Sequence, residues 1–275
     1  MTNTRSMALM DLETVLEWAA DEGWNPGLED AEAFLAADAG GFFMAEDNGV
    51  PVAAISVVNH SPDYAFLGLY LCRPSHRGRG IGYALWQHAL EHAGHRTVGL
   101  DGVPEQQQNY VKSGFAHAGS TVRYAGTIDP LKDGAIRLAR PDETEQLIAM
   151  EGEASGAEKP AYLEAWFAEA DTRKTFVLES NGKIEGIVTV RKCRSGAKIG
   201  PLIASDSDGA LRLIRQAADA IDPTLMIDVP VDSAPLDTLC RSLGLEAIFH
   251  TARMYRGKER SGHKDFFAVT TLELG

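Results

Sequence analysis

Apolar residues recur at helical spacing at Leu12, Val15, Leu16 and Ala19, behind Asp11 as a candidate N-cap, and the pattern stops at Glu22-Gly23. A strand-like start over residues 6–9 precedes it. A second helix over 28–37 follows the turn Trp24-Asn25-Pro26-Gly27, with Ala31, Phe34 and Leu35 on one face. β-rich runs at 42–46 and 50–58 flank Asp47-Asn48-Gly49, and Asn-Gly between such runs signals a hairpin. An apolar run at 65–72, a glycine-rich turn and a helix over 81–92 come next, with Ile81, Ala84, Leu85 and Ala89 inward. A short strand at 98–101, a helix at 104–113 stopped by Gly114 and a last pair of strands over 115–126 complete the series.

The pattern then starts again. Residues 129–134 are polar and turn-rich, which makes them a linker and divides the chain into units over 1–128 and 135–275. Beyond it lie a strand at 136–139 and helices at 142–150 and 160–169. Residues 176–190 then align with 43–57, keeping a phenylalanine, a glutamate and the Asn-Gly turn in register, the mark of a duplicated unit. The strand at 197–203 takes the place of 65–72, and 239–244 that of the helix before Gly114. A length of 275 residues suits two such units.

Composition narrows the function classes. The net charge of −13 argues against a nucleic-acid partner, since a phosphate backbone demands a basic footprint. No apolar run approaches the ~20 residues that cross a bilayer, and the first residues lack a signal-peptide core, so no membrane partner and a cytoplasmic location are expected. Cys72, Cys193 and Cys240 are widely spaced and form no Cys-x-x-Cys pair, so they read as buried thiols, with no disulfide framework and no metal site.

The chemistry concentrates in Arg77-Gly78-Arg79-Gly80-Ile81-Gly82, between the apolar run and the helix. Glycines let the backbone bend and a ligand approach it, the first helical N–H groups lack partners, and the helix dipole favours an anion. Arg77 and Arg79 add positive charge suited to phosphate oxygens, so a phosphate or pyrophosphate is the implied ligand; a tight strand-to-helix connection is the alternative. Neither the Gly-x-x-x-x-Gly-Lys-Ser/Thr loop nor the dinucleotide fingerprint fits.

This stretch resembles the Arg/Gln-x-x-Gly-x-Gly/Ala signature of the GNAT acetyltransferases, through Arg77, Gly80 and Gly82. The segment Asn109-Tyr110-Val111-Lys112-Ser113-Gly114-Phe115 resembles the family's Leu-Tyr-x-x-x-Gly-Phe, with asparagine in place of leucine. The resemblance covers about residues 6–126 and extends to tandem two-domain members. It implies an α/β (α+β) fold of two GNAT-type acyl-CoA domains, each a mixed, mostly antiparallel sheet flanked by helices. It further implies an acetyl-CoA co-substrate bound by Arg77 to Gly82 and Asn109, with the carbonyl polarised by N–H groups near Leu71 and Cys72. In the second unit, residues 204–210 lack the signature and carry Asp206 and Asp208, which would repel a pyrophosphate, so that coenzyme loop reads as degenerate.

The implied reaction is acetyl transfer to the amine of a small-molecule acceptor, which needs an acid for the thiolate and a base for the amine. Tyr110 holds the acid's position, with a packing role as its alternative. For the base, Glu22 is chosen over His60 and Asp101, and a relayed water is also open. Trp24 and Asn25 are candidate acceptor-binding residues, against packing and capping roles. A non-catalytic acyl-CoA sensor, a longer acyl chain and an O- or thiol-acceptor stay open. Oligomeric state is not legible.

Overall fold

The structure, a computed structural model, describes residues 2–262 and 266–275. The first half runs β1 (Thr2–Ser6), α1 (Leu9–Asp21), α2 (Asp30–Ala37), β2 (Phe42–Asp47), β3 (Val50–Asn59), β4 (Tyr64–Cys72), α3 (Ile81–His92), β5 (Thr97–Gly102), α4 (Gln107–Lys112) and β6 (Ala116–Thr127). The second runs β7 (Ile136–Leu138), α5 (Thr144–Ser155), α6 (Pro160–Phe167), β8 (Arg173–Ser180), β9 (Lys183–Lys192), β10 (Ala197–Ala204), α7 (Ser207–Ala220), β11 (Thr224–Pro230), α8 (Ala234–Ser242), β12 (Glu246–Arg256) and β13 (Phe266–Ala268). The sheet is mixed and mostly antiparallel; β4 with β5 and β10 with β11 are its parallel pairs. No helix among the described residues is long and apolar enough to cross a membrane.

Alternation of apolar residues along the strands supplies two faces. Phe42, Met44, Ala54 and Val58 meet α1, α2, α5 and α6 in one core common to both halves, where the ring of Phe34 stacks 6.3 Å from that of Trp166. On the opposite face, Phe43, Ile55 and Leu67 pack on Leu85 and Trp86 of α3, and α7 covers the second half.

Three local expectations are corrected. Helix α1 begins at Leu9, and Asp11 lies inside its first turn, where the carboxylate accepts from the Ala8 N–H at 2.8 Å and pairs with Arg5. Residues 6–9 are therefore not the first strand, which lies at Thr2–Ser6 on the edge of β2. Helix α2 begins at Asp30, because the Leu28 N–H is drawn off to the Lys192 carbonyl and Gly27 bridges Cys193.

A fourth correction changes the architecture. Residues 115–126 are no hairpin: β6 is one continuous strand, and both of its neighbours come from the second half. The central order is β5-β12-β6-β11, so each half's fifth strand pairs with a strand supplied by the other half, and all strands join one 13-stranded sheet. Two arginine–aspartate pairs sit directly opposite in register at the crossings. Arg123 of β6 holds Asp228 of β11 through bonds of 2.7 and 2.9 Å, and Arg253 of β12 holds Asp101 of β5 at 2.9 and 2.7 Å.

Candidate active site

Strands β4 and β5 run side by side from the Tyr64–Thr97 pair to the Leu67–Leu100 pair and then part, opening a wedge in the sheet. At the parting point β4 bulges: the register with β3 shifts, and Leu69 takes φ +46°, a conformation costly for a leucine and most often kept at functional sites. The Arg73 N–H donates to the Val52 carbonyl, so by alternation Leu71 also faces β3, while the amides of Tyr70 and Cys72 face the wedge. Of the two expected donors, Cys72 thus turns its amide to the wedge and Leu71 does not, while Tyr70 does.

Beyond the wedge the chain turns through Gly78 and Gly80, both left-handed at φ +74° and +79°, and enters α3. The first intrahelical bond is Ala84 N–H to the Gly80 carbonyl at 3.0 Å, which leaves the Ile81, Gly82 and Tyr83 amides at the helix mouth without helical acceptors. A Cβ on Gly82 would lie 2.8 Å from the Tyr70 hydroxyl, so this glycine also makes room for that ring. Arg77 donates from Nε to the Cys72 carbonyl at 2.8 Å and pairs with Glu22, while Arg79 reaches Asp47 at 3.1 Å. The groove runs from Arg77, Gly78 and Gly80 past Tyr83 and Cys72 to Tyr70.

An inner cavity continues from that groove, sharing Trp24, Tyr70, Val103, Gln106 and Phe249 with it, and adds Tyr110, Asp101, Thr251 and Glu273. Tyr110 is buried and stacked on Trp86, with ring centroids 5.3 Å apart. Burial drives its phenol well above the ordinary range, with Tyr70 and Glu105 adding to the effect, so the group keeps its proton.

The other sequence-derived candidates scatter. Glu22 lies at the outer rim, its carboxylate committed to Arg77, and does not line the inner cavity. Asp101 does line it, but is held by Arg253. His60 is buried, donates from Nε2 to the Leu274 carbonyl at 2.8 Å and is pushed down to about 3 by burial, with Lys159 opposing its charge as well. Asn25 is spent on the second half: its amide donates to the Ser195 carbonyl at 2.8 Å and accepts from the Ser195 N–H, so it leaves the acceptor set. Asn109 bonds Gln106 at an exposed position outside the groove lining. Trp24 lines both the groove and the inner cavity, with its carbonyl accepting from Arg123 and Lys198, each at 2.9 Å. Cys193 and Cys240 are buried, whereas Cys72 is partly exposed in the groove.

Sequence reasoning missed Tyr70, Phe249, Thr251 and Glu273. Tyr70 reads as one more apolar strand residue. The others come from β12 and the segment after β13, and nothing local in the sequence ties them to a loop near residue 80. Their place follows from the strand crossing, whose sequence trace is the matched Thr121-Val122-Arg123 and Thr251-Ala252-Arg253.

The corresponding wedge of the second half is filled. β10 and β11 part after the Ile199–Ile227 pair, and β13 lies in the gap, pairing with Leu202, Ile203 and Ala204, while the Val269 N–H donates to the Asp228 carbonyl at 3.0 Å. At the mouth of α7, Asp206 is the N-cap, and its own carboxylate accepts from the Gly209 N–H at 2.8 Å.

Comparisons with known proteins agree with this fold. The model of the acetyltransferase (GNAT) family matches residues 9–115, and an acetyltransferase (GNAT) domain model matches 147–267. The holothin acyltransferase of Pseudoalteromonas sp. (strain SANK 73390) is 34% identical over 277 residues, spanning 99% of this chain and 94% of that protein. A proposed acetyltransferase of Pyrococcus horikoshii superposes with TM-score 0.85 at 20% identity, covering 100% of this chain and 96% of the other. A tandem GNAT protein from the clavulanic acid biosynthesis pathway superposes at 0.62 with 16% identity, covering 94% and 100%.

Proposed function

Because the chain belongs to the GNAT acetyltransferase family and is an acyltransferase, we propose that it moves an acetyl group from acetyl-CoA, bound by the first half, to the amine of a small molecule held in the inner cavity. One observation carries the reading: the free amides at the mouth of α3 and the Tyr110 phenol lie at the two ends of one continuous groove and cavity. The Ile81, Gly82 and Tyr83 amides would hold the pyrophosphate, and the β4 edge would take the pantetheine arm as an added strand.

In this reading the backbone amides of Tyr70 and Cys72 polarise the thioester carbonyl. The amine nitrogen bonds to the carbonyl carbon, the carbon–sulfur bond breaks, and Tyr110 gives its proton to the departing thiolate. Tyr110 suits this because burial keeps it protonated until an anion forms beside it. Relatedness to a holothin acyltransferase makes holothin the first acceptor to try.

Incubation with acetyl-CoA and a panel of amines including holothin, read as free-thiol release and as product mass, tests the reading. It predicts an N-acetylated product with one thiol released per product formed. Thiol release without any acylated amine would contradict it.

A further inference from the structure

We propose that Glu273 and Thr251, both supplied by the second half, form the subsite that grips the acceptor, with Glu273 taking the proton its amine loses. This deepens the acetyltransfer reading above and rests on it for the identity of the donor.

The inner cavity is walled by apolar groups and rings: Leu67, Leu100, Trp24, Tyr70 and Phe249. Two polar atoms on its lining are buried without a hydrogen-bond partner among the described residues, Glu273 Oε2 and Thr251 Oγ1. Each residue is only 4% exposed. Folded proteins pair buried polar atoms almost without exception, so two open ones on one cavity wall await a ligand.

The carboxylate is firmly placed. A Cβ on Gly68, where β4 and β5 part, would collide with the Glu273 carbonyl oxygen, so that glycine is what lets the terminal segment lie against the wedge. The adjoining Leu274 carbonyl is fixed by His60. Three cations lie within electrostatic reach of Glu273, and each is engaged elsewhere: Arg123 with Asp228, Lys198 with the Trp24 carbonyl, and Arg191 beside Asp30. None of the three bonds to Oε2, which is left free to accept.

The complementary acceptor is a flat, apolar ring system carrying a primary amine. Its N–H groups bond Glu273, a second polar atom meets the Thr251 hydroxyl, and the rings of Trp24, Tyr70 and Phe249 contact its faces. As nitrogen bonds to the acyl carbon, its proton passes to Glu273 while Tyr110 protonates the thiolate. Solvent then returns one proton from Glu273 to Tyr110, which closes the balance. Of the other carboxylates, Asp101 is committed to Arg253 and Glu22 to Arg77, while Glu105 lines the outer groove and not the inner cavity.

The test uses the full chain, with Glu273→Gln and Thr251→Val, and aniline, benzylamine and cyclohexylamine as probe amines. Fluorescence of the protein, which contains Trp24, reports amine binding without any donor, and thiol release from acetyl-CoA reports turnover. Glu273→Gln should lower kcat by ~10²-fold or more at saturating amine, with KM for acetyl-CoA unchanged. Thr251→Val should raise KM for the aromatic amines by about tenfold and leave kcat nearly intact. Full turnover in Glu273→Gln would overturn the proposal, as would aromatic amines that bind both variants as well as wild type, or that neither bind nor react in wild type. Glu273-dependent amine binding in a protein that ignores acetyl-CoA would uphold the subsite and remove only the donor.

Discussion

Tyr110 keeps its proton because its ring is stacked on Trp86 and shut from water, which suits it to the acid's part in the proposed reaction. Tyr110→Phe deletes the proton and little volume, so kcat should fall by ~10²-fold with CoA affinity kept; steady-state kinetics beside calorimetry check this, and unchanged turnover would make Tyr110 a packing residue. His60 predicts a pH effect of definite sign. Its neutral form is buried, and its pKa is pushed from 6.5 down to about 3, so the unfolded chain binds the extra proton first. The associated stability is complete above about pH 6.5 and is lost as pH falls toward 3, by about 2 kcal/mol between pH 7 and pH 5. Urea unfolding at the two pH values should therefore show a drop in the wild type that is about 2 kcal/mol smaller in His60→Gln, and equal drops would contradict the assignment. The settings of Tyr110 and Gly80 were legible because they are decided locally: a tyrosine on a helix before Gly114, a left-handed residue before α3. Glu22, Asn25 and Asn109 looked equally suitable, yet their side chains are taken by Arg77, Ser195 and Gln106.

Element boundaries followed from periodicity wherever one segment's own pattern decided them, as for α3, which runs over the expected residues, and for the β2–β3 hairpin across Asn48-Gly49. Partners of strands did not, because an alternating run says which face is buried and nothing about which edge it joins. Residues 115–126 read as a hairpin for that reason, whereas β6 spans the molecule between β11 and β12. The crossing carries a stability prediction. A fragment of residues 1–129 would leave β5 with a bare edge, β6 with no neighbour, and Asp101 and Arg123 without their ionic partners, a buried loss worth about 3–5 kcal/mol for each broken pair. Expressed alone, the fragment should lack native circular dichroism and bind no CoA; co-expressed with residues 130–275 it should recover both. A fragment that folds and binds CoA unaided would show the crossing to be dispensable.

At the scale of the whole molecule, a duplicated sequence has become two unequal wedges in one sheet. The first is open, carries unpartnered amides at the mouth of α3, and is completed by Phe249, Thr251 and Glu273 from the other half. The second is occupied by β13, and its helix mouth is capped by Asp206. The sequence disclosed the acidic loop through Asp206 and Asp208, but not the plug, since β13 is three residues that reach β10 from beyond β12. Arg123–Asp228 and Arg253–Asp101 tie the halves so that neither wedge exists without strands from both. The proposed function requires one acyl-CoA site per chain, in the first wedge. Calorimetric titration of the full chain with acetyl-CoA, repeated on Gly80→Val, tests it most directly. A stoichiometry of one, abolished in a folded Gly80→Val protein whose loop can no longer hold φ +79° without strain, is the predicted result. Two sites per chain, none, or one that survives Gly80→Val unchanged would contradict it.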